Sequence, residues 1–335
     1  MKKKIFNIIK YSLFFSIGIL LFWLVYREQD FSNIWNTVLY EVNYLWLILM
    51  AFLGLLSHIS RTLRWKIALE PLNEKPRTIN AFIAVMASYF MNILLPRMGE
   101  FIRCGLLSKY EKIPFSKLLG TVISERIVDM IMLVLFVLLA FVIEFDRIMG
   151  FLNENEQITA NLKNILKSPL LWLLLVAIIA GITLYIYIVK KRGKRNKFEE
   201  IYKNLIHGIK SIVEIKRYKA YIAHTFFIWT LYFLMLYVAF FSLEFTSVLP
   251  LSAALLTFVM TSASMLAPVQ AGMGAWHFMA EKGLSLYGIE SVNGKIFALV
   301  THSSMNLAIV IFGVICIILI PFINRNYKPQ NIKHD

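Results

Sequence analysis

The sequence is poor in charge. Lysine, arginine, aspartate and glutamate make up only 16% of its 335 residues, and 59% of the residues are hydrophobic. Soluble domains average about 25% charged residues. The shortage of charge therefore excludes an ordinary soluble domain and predicts an all-α polytopic membrane protein.

Cysteine and aspartate are also scarce. Two cysteines, Cys104 in a basic loop and Cys316 in an apolar stretch, form neither a disulfide frame nor a metal pattern. The four aspartates contain no Asp-x-Asp pair, and no His/Asp transfer signature is present. We therefore predict no enzyme, no metal and no cofactor. A membrane-embedded transferase acting on a lipid phosphate stays open as an alternative, as does a small-solute or ion transporter.

Positive charge is abundant, with a formal net charge of +15, but it is confined to a few short loops. Twenty-seven lysines and arginines fall in the two termini and in alternate loops, against six in the remaining loops. This pattern is typical of cytoplasmic loops beside an anionic leaflet and not of a nucleic-acid surface. It predicts a multi-pass protein of a bacterial-type inner (plasma) membrane with both termini in the cytoplasm.

Apolar stretches long enough to cross roughly 30 Å of hydrocarbon are easily found. Six are uninterrupted: 6–26, 43–63, 118–143, 169–189, 219–243 and 295–323. Two further segments, 79–107 and 251–290, are each broken by a polar, proline-centred turn. Because the first stretch has no small-residue cleavage site, we interpret it as a retained signal anchor.

The charge pattern requires that 79–107 begin and end in the cytoplasm and that 251–290 begin and end outside. Both segments are therefore predicted to be re-entrant helical hairpins, and the six spans and two hairpins form an inverted-topology repeat. The first repeat is 1–150, and the second, 151–323, includes the basic cytoplasmic loop 190–219. Residues 324–335 form a cytoplasmic tail. The alternative is eight or more plain spans.

Four motifs resemble the membrane region of the lysylphosphatidylglycerol synthase family. They are Arg61-Thr-Leu-Arg64-Trp65, Asn92-Ile-Leu-Leu-Pro96-Arg97-Met-Gly99-Glu100-Phe-Ile-Arg103, Ser124-Glu125-Arg126-Ile-Val-Asp129 and Pro268-Val-Gln-Ala-Gly272-Met-Gly274. The resemblance implies a flippase-like role, because in the two-part members this region is assigned to flipping aminoacylated phosphatidylglycerol. It implies a stand-alone membrane region without the aminoacyltransferase domain, which leaves room for a separate lipid-modifying enzyme.

The first hairpin and the span after it hold most of the candidate substrate-binding residues. Arg97, Glu100 and Arg103 follow a spacing of three, which places them near one helical face. We expect Arg97 to bind a lipid phosphate, with Glu100 orienting it; a mutually neutralised pin is the alternative. Glu125 and Asp129 share a face four residues apart, so their expected cationic partner is Arg97 or Arg103, whereas Arg126 points elsewhere.

The interpretation of this acidic pair has its own alternative, in which Glu125, Arg126 and Asp129 are interfacial residues that extend to the cytoplasmic surface. In the second hairpin, Gly272 and Gly274 are expected to adopt positive φ and to expose N–H groups to a phosphate oxygen. Gln270 is expected to line the same cavity.

Secondary candidates complete the set: Asn92, Arg61, Arg64, His277, Glu281, His302 and Asn306. Arg61 and Arg64 are interpreted first as positive-inside anchors, with headgroup contacts as the alternative. His302 and Asn306, four residues apart, are interpreted as packing contacts between helices. Residues 198–213 are predicted to form an amphipathic helix on the inner leaflet. The predicted function is translocation of an anionic or aminoacylated phospholipid, or of a polyprenyl-phosphate-type lipid, between leaflets.

Overall fold

The computed structural model describes residues 31–154 except 96, and 197–327 except 265–268. It also describes the single positions 20, 23, 27, 160, 164, 167–169, 173, 180 and 329. Every regular element in these ranges is helical. The predicted spans 6–26 and 169–189 lie almost entirely outside the described residues.

The described ranges contain eleven α-helices of ten or more residues, numbered here in chain order. They are α1 (Phe31–Tyr40), α2 (Tyr44–Leu69), α3 (Thr78–Leu94), α4 (Gly99–Glu111), α5 (Phe115–Ile143), α6 (Phe145–Glu154), α7 (Lys197–Lys210), α8 (Tyr218–Phe240), α9 (Leu251–Ser264), α10 (Ala275–Ser285) and α11 (Ser291–Ile323). Helix α7 confirms the predicted amphipathic helix, although its contact with a leaflet stays a prediction. It packs on α5, where Gly120 and Gly208 bring the two backbones together.

Four of these helices are long and apolar enough to cross a membrane: α2 with its short 3-10 extension to Leu72, α5, α8 and α11. They coincide with four of the six predicted spans. The two interrupted segments each fold as a pair of shorter helices packed against each other, α3 with α4 and α9 with α10. Each predicted interruption is therefore present as a break between two packed helices, one between Leu94 and Gly99 and the other between Ser264 and Ala275.

The turn of the first hairpin depends on close backbone approach. Arg97 has a φ of 59°, and the Asn92 side chain accepts a hydrogen bond from the Gly99 amide at 2.8 Å. A Cβ atom on Gly99 would lie 2.2 Å from the Ser88 carbonyl oxygen. Glycine is therefore required where α4 starts against α3. The second turn has positive φ at Ala271, Gly272 and Gly274, which confirms the prediction for the two glycines.

Polar contacts sort the helix ends onto two opposite faces. On the face we call basic, Arg217 pairs with Glu70, Lys117 pairs with Glu74, and the Tyr327 hydroxyl donates to Glu111. On the opposite face, the Asn43 amide donates to the Ser242 carbonyl and Arg147 donates to the Leu286 carbonyl. The first hairpin thus begins and ends at the basic face, and the second begins and ends at the opposite face.

The two halves of the chain repeat the order long helix, hairpin, long helix. Helix α4 begins at Gly99 and α10 at Ala275, while α5 begins at Phe115 and α11 at Ser291, so both pairs are separated by the same 176 positions. Helices α5 and α11 both bury residues of their N-terminal halves and expose apolar side chains along their C-terminal halves. Since α5 starts at the basic face and α11 ends there, their exposed apolar halves lie toward opposite faces.

Candidate functional site

Five ionic side chains meet inside the helix bundle. We call them the buried ion cluster: Arg61, Arg64, Arg103, Glu125 and Asp129. Each is no more than 8% exposed. They come from three elements, because α2 supplies two arginines, α4 supplies the third, and α5 supplies both carboxylates.

The carboxylates are shared between the guanidinium groups. Arg61 Nη1 lies 3.3 Å from Glu125 Oε1 and 2.9 Å from Asp129 Oδ2, and Arg64 Nη2 lies 2.9 Å from Glu125 Oε1 and 2.8 Å from Asp129 Oδ1. Arg103 Nη1 lies 2.9 Å from Glu125 Oε2, although that contact is not aligned as a hydrogen bond. Three cations therefore face two anions.

Neighbouring side chains from α2 and α8 support the cluster. The Arg64 guanidinium donates to Thr225 Oγ1 at 3.2 Å, and Arg61 donates to the Tyr232 hydroxyl at 3.3 Å. The guanidinium carbon of Arg103 lies 3.7 Å from the centroid of the Trp65 ring, a cation–π contact. The second half of the chain thus helps to hold a cluster built mainly by the first half.

A second, more open group of charges adjoins the cluster. We call it the exposed edge: Glu100 and Arg126, together with Arg97 at the hairpin turn three residues before Glu100. Arg126 lies 3.8 Å from Asp129 and 4.0 Å from Glu100. The Arg126 side chain is 47% exposed and the Glu100 side chain is 28% exposed, while Arg97 is exposed at the hairpin turn. The exposed apolar stripe of α5 starts beside Arg126, with Ile127 and Met130. Charge and lipid-facing surface therefore adjoin here.

Two sequence interpretations are corrected by this geometry. Arg61 and Arg64 are not surface anchors, because both are buried and paired with the acids of α5. Arg97 does not share a helical face with Glu100 and Arg103, because α4 starts only at Gly99 and the αL conformation of Arg97 lies before it. The predicted partner Arg103 is confirmed for Glu125, but Asp129 pairs with Arg61 and Arg64 instead. The expectation that Arg126 points away from the acids is wrong, because its Nη1 lies 3.8 Å from Asp129. The interfacial alternative for Glu125 and Asp129 is also wrong, because both are buried.

The second hairpin reaches the first one through its turn. Gln270 Nε2 lies 3.5 Å from the Leu94 carbonyl oxygen at the end of α3. The Gly274 amide donates to His277 Nδ1 and the Gly272 amide donates to the Val269 carbonyl. Because both amides already have acceptors within the chain, the predicted N–H cradle for a phosphate is not formed in this conformation.

The remaining candidates of the second half are packing contacts. His302 Nε2 lies 2.9 Å from the Ala271 carbonyl and its ring stacks on Trp276, while the Asn306 amide contacts the His302 ring. This agrees with the packing interpretation of His302 and Asn306. Glu281 is buried at the joint between α10 and α11, where Ser291 donates to it at 2.9 Å. No group of three or more potential metal-ligating side chains is found among the described residues.

Comparison with known proteins identifies the family of this chain and a relative of part of its length. The family model described as "Lysylphosphatidylglycerol synthase TM region" matches residues 8–313. The UPF0104 membrane protein MJ1595 of Methanocaldococcus jannaschii is 33% identical over 117 residues, which are 34% of this chain and 34% of that protein. The chain thus matches about a third of that relative's length. No solved structure gives a significant match.

Proposed function

The chain belongs to the lysylphosphatidylglycerol synthase TM-region family, and from this membership and its ionic site we propose that it is a flippase-like membrane lipid translocase. Its cargo is a lipid with an anionic phosphate headgroup, aminoacylated or not. The observation that carries the proposal is the exposed edge, a charged and partly open surface held against a fully buried ion cluster within an apolar helix bundle.

The proposed membrane arrangement is the inverted repeat with two re-entrant hairpins. Placing the basic face in the cytoplasm satisfies the excess of lysine and arginine and makes the first hairpin enter from inside and the second from outside. At 1.5 Å per residue, the 17 residues of α3 reach about 26 Å into the bilayer. The contact between Gln270 and the end of α3 supports tips that meet at membrane depth. The protein then resides in the plasma membrane with both termini cytoplasmic.

The energetic cost of the site supports a functional role. One charge at the membrane centre costs about 2.5–3.5 kcal/mol on insertion scales, and buried ion pairs are weak contributors to stability compared with apolar packing. Retention of charge at this depth is typical of substrate pathways. Arg97 and Arg126 offer guanidinium forks that match phosphate oxygens, and Glu100 holds the Arg126 fork in place.

The proposed movement keeps the acyl chains in lipid while the headgroup crosses at the hairpin tips. The exposed apolar halves of α5 and α11 lie toward opposite leaflets, so each offers a lipid-facing track next to one hairpin. Alternate opening of the cavity toward each face would pass the headgroup from one leaflet to the other.

The test is a reconstituted lipid-exposure assay. Fluorescent phosphatidylglycerol in proteoliposomes is bleached by a membrane-impermeant reductant, and translocation raises the accessible fraction above the half expected for a sealed bilayer. We expect Arg126→Gln to abolish this increase. Arg217→Gln is the matched control, because Arg217 is also exposed and ion-paired, at 3.1 Å from Glu70, but lies on the basic face.

The outcomes separate the alternatives. Lipid movement without a new lipid species supports translocation. Appearance of a modified lipid would instead support a transferase, and movement of a soluble ion without lipid would support a solute transporter. Equal loss in Arg126→Gln and Arg217→Gln would remove the exposed edge from the site.

A further inference from the structure

The buried ion cluster contains one cation more than its anions require. Arg61 and Arg64 each contact both Glu125 and Asp129, so these four groups neutralise one another in pairs. Arg103 is the surplus cation. It shares Glu125 with the other two arginines, and the positive charges of Arg61 and Arg126 oppose its own.

Arg103 is also the member with the most unused donor capacity. It is 1% exposed, and neither its Nε nor its Nη2 atom donates a hydrogen bond to any described residue. In Arg61 and in Arg64, Nε is the one guanidinium nitrogen that donates no hydrogen bond to a described residue. A buried guanidinium without acceptors is costly, and arginine cannot lose its proton to relieve the cost.

Arg103 is carried by the hairpin and not by the scaffold. It lies on α4, whereas its partners lie on the long helices α2 and α5. One ion pair to Glu125 and the face of Trp65 hold it. A movement of the first hairpin would therefore move this cation relative to both carboxylates.

We propose that Arg103 forms an internal anion-binding site, which binds one monoanionic phosphate group and thereby neutralises the net charge of the cluster. The ligand class is a phosphodiester or another singly charged phosphate, bound through Nε and Nη2 on the side of Arg103 away from Glu125. The proposal rests on the proposed function, in which Arg103 binds the headgroup after the headgroup leaves Arg97 and Arg126. Arg103 then differs in role from Arg64, which holds the acids of α5 together.

This difference can be tested, because replacing a structural cation should lower the melting temperature, whereas replacing a ligand-binding cation should not lower it when the ligand is absent. Melting temperatures are measured for delipidated protein in mild detergent with gluconate as the only bulk anion. In that buffer we expect Arg103→Gln to melt at or above the wild-type temperature, since it removes a surplus buried charge. Arg64→Gln removes the same charge but breaks two hydrogen-bonded ion pairs, whereas Arg103→Gln breaks one ion pair to a carboxylate that keeps two other cations; Arg64→Gln should therefore melt lower.

The second arm adds ligands: inorganic phosphate, short-chain phosphatidylglycerol or chloride. The wild type should be stabilised by phosphate-bearing ligands and Arg103→Gln should not respond. Stabilisation by inorganic phosphate identifies a site for free phosphate, and stabilisation by phosphatidylglycerol alone identifies a site for the lipid headgroup. Both results support the anion-binding site. Equal stabilisation by chloride would overturn the phosphate assignment.

An Arg103→Gln protein that melts below the wild type and still responds to phosphate would overturn the inference entirely. The thermal readout needs no transport. If phosphate-bearing ligands stabilise the wild type but it moves no lipid, only the proposed translocation is refuted. If the wild type moves lipid but no phosphate-bearing ligand stabilises it, only the anion-binding site is refuted.

Discussion

Removal of the Glu125 carboxylate is the most informative perturbation of the buried ion cluster. Glu125 is fully buried and lies within 2.9–3.3 Å of three guanidinium groups. Glu125→Gln keeps its size but leaves three arginines with Asp129 alone. The buried excess of positive charge then rises from one to two.

The magnitude follows from the cost of breaking a buried ion pair. Removing one partner from such a pair destabilises a protein by about 3–5 kcal/mol, because the other charge stays buried without compensation. Since each 1.4 kcal/mol is a factor of about ten, the folding equilibrium constant should fall by roughly 100-fold or more. Equilibrium unfolding in mild detergent, followed by circular dichroism, measures the change.

Two further variants make the result specific. Glu244→Gln carries the same substitution at an exposed position and should change the free energy of unfolding by no more than about 0.5 kcal/mol. Adding Arg103→Gln to Glu125→Gln returns the excess to one charge and should recover part of the loss. If Glu125→Gln were as stable as Glu244→Gln, the cluster would not hold the fold as described.

Three further predictions concern the hairpins and the faces. Gly99→Ala should destabilise the protein by about 1–3 kcal/mol, because the added Cβ would overlap the Ser88 carbonyl oxygen. Gly105→Ala is the control in the same helix: its Cβ would meet no atom within 4 Å, so it should stabilise the protein by about 0.5–1 kcal/mol. Thermal melting of the two variants measures the difference. Gly208→Ala should detach α7 from α5, seen as faster proteolysis of α7 while the rest of the chain resists. Burial opposes ionisation of Glu144, but the nearby Ser252 and Tyr287 hydroxyls and the Arg147 guanidinium, whose Nε donates to the carboxylate at 2.9 Å, prevail and lower its pKa. Glu144→Gln should therefore cost stability at pH 7, and the difference should vanish as the pH falls through the lowered pKa, as a pH series of melting temperatures would show.

Much of the architecture is predictable from the sequence, because a helix that crosses hydrocarbon must be long and apolar and basic residues collect in the cytoplasmic loops. Uninterrupted apolar stretches and alternate basic loops predicted the four long helices α2, α5, α8 and α11. In the sequence, Pro96 and Pro268 marked the two hairpin turns, because proline lacks the backbone N–H that a helix interior needs. The positive φ of Gly272 and Gly274 followed from the same reasoning.

The cluster is less predictable, because pairing across elements has no local signature. Arg61 and Arg64 lie near the end of a span, where anchoring at the membrane surface and burial in the bundle produce the same sequence pattern. Their spacing of three, matched by the spacing of four between Glu125 and Asp129, is the signal that could have indicated facing charged stripes. The roles of Thr225 and Tyr232 depend on the packing of α8 against α2, which no spacing within either helix reveals.

In the proposed arrangement, the two hairpins enter from opposite faces and their tips stay inside the membrane. Single cysteines at positions 97 and 273, in a background with Cys104 and Cys316 replaced by serine, test it by labelling with a membrane-impermeant maleimide. We expect position 97 to react only from the cytoplasmic side and position 273 only from the outer side. Rapid labelling of position 97 from outside would mean that α3 crosses the membrane completely, and would refute the re-entrant arrangement of the first hairpin.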